Sequence, residues 1–388
     1  MLKPQQATLP APTPAWHPRW RAAPAGARPR AGTAGREAAA AALPVTWINL
    51  FKALASQLIL WHHLALYGPM CDVAHTLAPV LLDGLAEYAR LVVQVFLVTG
   101  GFLAAGSLWP APGERPRVTW REVPRSVWRR YQRLAKPYLL AVLAVIVAAW
   151  LARGLIEHPT IPAAPEPGQL AAHIVMAQDM LGIESLSAGF WYVAIDFQLY
   201  ALLVVLAAAL HGLPDKGVQR AATATGVVVA LVLLSLVWWN RDSSLDAFAP
   251  YFVGAYGLGV LARWARGLRT TREPAALGLL LIIGLALAVE WRSRIALAGA
   301  TAMLLCLAPE PAAVRRWPGR MAQAVLGFFA QISYPVFLLH YAVILVTGAI
   351  VYNQWPESPE ANALGMVLAW AVSLVAGTLM HRAVERRG

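Results

Sequence analysis

The stretch Phe51–Gly68 reads FKALASQLILWHHLALYG. Its apolar run is long enough to cross ~30 Å of hydrocarbon at ~1.5 Å of helix rise per residue. Lys52 near the start and His62 and His63 near the end interrupt it. An ionisable side chain inside a span is costly unless it is paired or faces a wet cavity, so this segment reads as a membrane helix that carries a site.

Working outward, the chain has 388 residues, 59% hydrophobic and 13% charged, with 16 tryptophans and a mean hydropathy of +0.54. That composition lies outside the soluble range and predicts an all-α, polytopic integral membrane protein. Apolar runs of spanning length fall at about 47–68, 88–109, 137–153, 189–211, 221–239, 247–264, 275–290, 293–308, 323–351 and 362–381, which predicts about ten transmembrane helices. The seventh and eighth runs meet near Glu290–Arg294 and predict a tight hairpin.

Residues 1–45 are rich in Ala, Pro and Arg and have no unbroken apolar core, so they read as a disordered cytoplasmic tail rather than a signal peptide, ahead of a membrane domain over 46–388. With that tail inside, the loops on its side hold nearly all the basic residues. The opposite side holds Arg90, Arg153, Arg241, Arg292 and Arg294. This asymmetry predicts both ends in the cytoplasm by the positive-inside rule. It also explains the net charge of +12 without a nucleic-acid partner. The two cysteines, Cys71 and Cys306, have no paired spacing and support neither a disulfide framework nor a metal site. The outer segment QLAAHIVMAQDMLGIESL, after a Pro-rich run, predicts an amphipathic helix lying on the outer face.

The ionisable residues inside spans are Lys52, His62, His63, Asp196 and His340. Lys52 and His63 are eleven residues apart, three helical turns to within about 20° and ~16 Å along the axis, whereas His62 falls about 80° off that stripe. Phase therefore selects His63 over His62. The alternative is that Lys52 snorkels to headgroups and the histidines cap the outer interface. Asp196, in FWYVAIDFQLY, lies at a similar depth to His63 and is expected to pair with it, fixing its tautomer for base catalysis; the alternative is a packing bond to another helix. Tyr200 stands one turn further along the same face. His340, in ISYPVFLLHY, is a single histidine on an apolar helix, a pattern that is more often structural. Arg129, Arg130, Arg133 and Lys136 form a cytoplasmic cationic cluster suited to phosphates or to anionic lipid. Ser56, Thr99, Gly100 and Gly101 are small enough to wall a route between the two sides.

These segments resemble the acyltransferase-3 family of bacterial integral-membrane O-acyltransferases, which includes O-antigen and polysaccharide O-acetylases. Lys52-X10-His63 is similar to an R/K-X10-H signature, VFLVTGGFL to a second-helix FFxxSGF motif, WRRYQRLAKPYL to an arginine-rich third-helix motif, and FWYVAIDFQLY and ISYPVFLLHY to two later ones. Asp196 stands where glutamate is commoner, and Lys52 where arginine is.

The resemblance implies a multi-pass protein of the bacterial inner membrane, among membrane lipids, that moves an acyl group, usually acetyl, from cytoplasmic acyl-CoA to a hydroxyl of an extracytoplasmic glycan or lipid-linked sugar. His63 would be the base or acyl relay, with Asp196 orienting it. Lys52 and Arg129, Arg130, Arg133 and Lys136 would hold the CoA phosphates, with His62, Tyr200, Ser333, Tyr334 and His340 around the substrates. No permanently bound cofactor and no metal are implied. With no appended hydrolase-like domain read from the sequence, a separate periplasmic transferase partner is compatible. A proton-coupled transporter would use the same intramembrane residues, although the two halves show no internal repeat of the kind many transporters have.

Overall fold

The computed structural model describes residues 45–109, 114–213, 217–268, 271–308 and 319–385; the expected disordered tail lies outside them, apart from Val45. The described residues are helical, with no strand among them. In chain order the helices are α1 Val45–Leu66, α2 Pro69–Ala74, α3 Pro79–Tyr88, α4 Val93–Leu108, α5 Val123–Arg153, α6 Pro167–Ile174, α7 Phe190–His211, α8 Gly217–Val237, α9 Ala249–Gly267, α10 Arg272–Val289, α11 Ser293–Leu307, α12 Gly319–Gln354 and α13 Pro359–Met380.

Each of the ten apolar runs falls on a helix, and the break between α10 and α11 falls at the expected hairpin. Among the described residues, seven helical stretches are long and apolar enough to cross a membrane on length and composition. α11, at 15 residues, is a shorter apolar helix. α1 carries Lys52, Gln57, His62 and His63 and is not among the seven; the groups that form its site are those that lower its hydropathy.

Three elements differ from the expected pattern. The basic segment before the third run is not a separate loop: α5 begins at Val123 and carries Pro137 inside it, just as α12 carries Pro335. Membrane helices tolerate such prolines because neighbouring groups satisfy the freed carbonyls. A capping box at Thr119 and Glu122 starts the turn leading into α5. The outer amphipathic helix stops at Ile174, because Met176 takes φ 56°, a left-handed conformation uncommon for a side chain with a Cβ. Gly101, expected to wall a route, sits at a helix crossing instead. A Cβ there would stand 1.9 Å from the Tyr256 carbonyl oxygen, and one at Gly259 would stand 2.0 Å from that of Val98. α4 and α9 thus touch backbone to backbone, as small residues permit in membrane helices.

α12 packs along α13, α1 and α5, while α9 packs on α4, α8 and α11. Gly68, with φ 96°, turns the chain from α1 into α2 in a conformation open chiefly to glycine.

The segment between α5 and α7 is pinned by His173. Its Nδ1–H donates to the Gln169 carbonyl at 2.8 Å, and its Nε2 accepts the Leu186 N–H at 3.1 Å. That pattern requires a neutral ring. Burial lowers the His173 pKa below its ordinary 6.5, against the raising effect of the Gln169 bond. A depressed folded pKa means stability that is present above the unfolded value and lost as pH falls through the folded one. Lowering the pH from about 7.5 to about 5 is therefore expected to speed hydrogen exchange at the Leu186 amide beyond its intrinsic change. An unchanged protection factor would contradict this.

Candidate active site

The centre of the site is a pair of histidines from two packed helices. His63 Nδ1 lies 2.6 Å from His340 Nε2, and His340 Nδ1 lies 2.6 Å from the carbonyl oxygen of Phe337. The rings are nearly parallel, at 8°. Both residues are buried. Phe337 and His340 are three residues apart on α12, so they share a face.

The proton positions follow from this chain of bonds. A carbonyl only accepts, so His340 Nδ1 carries the proton and donates it. In the neutral ring that leaves His340 Nε2 as an acceptor, and His63 Nδ1–H is its donor. His63 Nε2 then holds a lone pair. This tautomer is inferred from the bond network rather than seen.

His63 lines a cavity of about 1520 Å³. The lining also includes Tyr67, Gln94, Trp191, Tyr192 and Tyr341, together with the charged Arg90, Asp179, Glu184, Asp246 and Glu290. Those charged residues belong to the side assigned as outer by charge asymmetry. His62 lines the same cavity, so helical phase does not separate the two histidines as expected. Their partners do: His62 Nδ1 meets the backbone carbonyl of Leu85 at 3.2 Å, whereas His63 has the shorter bond to His340.

The expected pairing of Asp196 with His63 is corrected. Asp196 Oδ2 is bonded by the guanidinium of Arg130. α7 packs on α5, α9 and α4, whereas the broad partner of α1 is α12; similar depth brought Asp196 and His63 to the same level but not to the same neighbour. Tyr200 joins the Arg130 group, its ring 5.1 Å from the guanidinium carbon. The cationic cluster is therefore divided. Arg130 turns inward, and Arg129, Arg133 and Lys136 remain exposed.

Lys52 is half-buried toward the opposite end of α1 from His63. The Ser333 hydroxyl donates to the Ala330 carbonyl within its own helix, and the Tyr334 hydroxyl to the Leu134 carbonyl of α5. The phenolic oxygen of Tyr256, Thr99 Oγ1 and Arg130 Nε are buried with no hydrogen-bond partner among the described residues. A Cβ at Gly100 would stand 3.3 Å from Asp196 Oδ1.

Asp196 is 10% and Arg130 25% exposed. Removing one member of such a pair strands the other charge, at a cost of about 3–5 kcal/mol. Asp196→Leu is expected to lower the thermal midpoint in detergent, and the double variant Arg130→Met with Asp196→Leu to recover much of it. Equal midpoints for the wild type and Asp196→Leu would contradict this.

The helices and the cavity define a multi-pass membrane protein in which one member of a buried histidine pair, His63, lines the cavity. The family then follows from comparison: residues 45–382 match the family model described as an acyltransferase domain. The chain belongs to the acyltransferase-3 family. No curated protein and no solved structure gives a match.

Proposed function

We propose that the protein transfers an acyl group from acyl-CoA to a hydroxyl of an extracytoplasmic glycan or lipid-linked sugar, with His63 as general base. The observation that carries this reading is the hydrogen-bonded series Phe337 carbonyl, His340, His63, which leaves a lone pair on Nε2 of His63, a residue of the cavity lining. His63 Nε2 takes the proton of the acceptor hydroxyl as its oxygen attacks the thioester carbonyl. The tetrahedral adduct collapses, the C–S bond breaks, and the CoA sulfur takes the proton from the imidazolium. His340 holds the ring in position, and its Nε2 keeps accepting from His63 Nδ1–H through both proton transfers. Such base catalysis contributes typically ~10²–10⁴-fold.

The ten-helix topology with both ends inside is part of the same reading, supported by the basic-residue asymmetry. The exposed Arg129, Arg133 and Lys136, together with Lys52, suit the CoA phosphates. The pantetheine arm then passes the Arg130–Asp196 level, where Thr99 Oγ1, Tyr256 Oη and Arg130 Nε offer polar groups to its amides. Asp196 acts there by holding Arg130, not by touching His63. The setting is a bacterial inner membrane.

The test is release of free CoA thiol from acetyl-CoA by the purified full chain when an envelope glycan mixture is added as acceptor, together with calorimetric CoA binding. Binding and release support the transferase; absence of both would favour the proton-coupled transporter.

A further inference from the structure

We propose that the arginine pair Arg292 and Arg294, on the cavity wall at the α10–α11 turn, holds an anionic group of the acceptor, a phosphate or a carboxylate. This rests on reading the cavity as the acceptor side.

Arg292 and Arg294 line the cavity, and Arg241 stands beside them. Arg241 and Arg292 share one carboxylate, Glu290, and Arg241 Nε occupies it at 2.8 Å. Arg292 Nε is 3.7 Å from the same oxygen, beyond hydrogen-bond reach. The Arg292 side chain is 10% exposed, and its Nε is buried with no hydrogen-bond partner among the described residues. The other Arg292 nitrogens are held in place by Asn240 Oδ1 at 2.8 Å and the Leu236 carbonyl at 2.5 Å. Arg294 bonds the Tyr251 hydroxyl and the Asn240 carbonyl, the latter at 2.7 Å.

Placement adds to the imbalance. Arg292 is the N-cap of α11 and Arg294 lies in its first turn, where the helix dipole favours anions and opposes cations. Local stability alone argues against two arginines there. An arriving anion would relieve both the mutual repulsion and the dipole conflict, and guanidinium forks match phosphate and carboxylate geometry.

The cavity also carries acidic side chains. Asp179 and Asp246 act on each other, and neither is among the charges that act on Arg292, which are Glu290, Arg294 and Arg241. The lining thus holds carboxylates besides the two arginines. Carboxylates accept hydrogen bonds from sugar hydroxyls, so the lining suits a sugar that also carries an anionic group.

The test is binding without donor. Glucose 1-phosphate, glucuronate and glucose are titrated against the purified full chain in detergent. The wild type is expected to bind one of the charged sugars at least about tenfold more tightly than glucose; which one distinguishes phosphate from carboxylate. Arg294→Gln is expected to abolish that preference. Arg241→Gln, which shares Glu290 but does not line the cavity, is expected to keep it. Equal binding of all three sugars by the wild type, or equal loss of preference in both variants, would overturn the assignment. Acetyl-CoA binding on the same preparation is the separate measure of the transferase reading, so either can fail alone.

Discussion

His63→Ala is expected to lower the rate of acyl transfer by about 10²–10⁴-fold while leaving CoA affinity and thermal stability near wild type. The loss arises because the substitution removes the proposed base and leaves His340 and its bond to the Phe337 carbonyl in place. His62→Ala is expected to be much milder: His62 shares the cavity but is oriented through backbone, with Nδ1 3.2 Å from the Leu85 carbonyl, rather than through His340.

His340 provides the finer discrimination. His340→Leu deprives His63 Nδ1–H of its acceptor, frees the ring to flip or change tautomer, and is expected to reduce kcat with little effect on the KM for acyl-CoA. His340→Gln supplies an amide oxygen that can accept the same bond, and is expected to recover part of the rate and of the wild-type pH profile. Equal activity of wild type and His63→Ala, or equal loss in His62→Ala and His63→Ala, would remove the assignment of the base.

Gly101→Leu is expected to prevent folding rather than to plug a channel. The Tyr256 carbonyl oxygen lies 1.9 Å from where the first side-chain carbon would stand, and the obstruction is backbone, so no rotamer change relieves it. α4 and α9 would have to separate along a contact in which Gly259 is packed as tightly, on Val98. Even Gly101→Ala is expected to cost about 3 kcal/mol or more, at the upper end of overpacking. Gly278→Ala on α10 is the control. No atom lies within 4 Å of a Cβ there, and replacing a helical glycine gains up to about 1 kcal/mol. Yield and monodispersity of the purified variants read this. A folded, CoA-binding Gly101→Leu protein without transfer would restore the channel role.

The sequence carried the helices well because each span is a long apolar run with little competition from other structure. It carried less of how they meet. Lys52, His63, Asp196 and His340 were visible as costly intramembrane groups, and depth along each helix could be counted. Depth does not say which helix is next to which. Asp196 was expected as the partner of His63 and His340 was read as structural, and the outcome was decided by α12 packing on α1 while α7 packs on α5. No local spacing in the sequence singles out His340, since any helical residue has a backbone carbonyl three positions before it. Gly101 was misread because smallness suits both a channel wall and a close helix crossing. Only the position of Tyr256 distinguishes them.

Sealed vesicles carrying the protein in one sorted orientation test the mechanism most directly. Radiolabelled acetyl-CoA is placed on the face of Arg129, Arg133 and Lys136, with a mixture of envelope glycans on the face of the His63 cavity. The predicted result is base-labile label in the glycans with one CoA thiol released per ester formed, and no transfer when donor and acceptor are both on the cavity side. Ester formation with both substrates on the cavity side, or no CoA release in any arrangement, would contradict it.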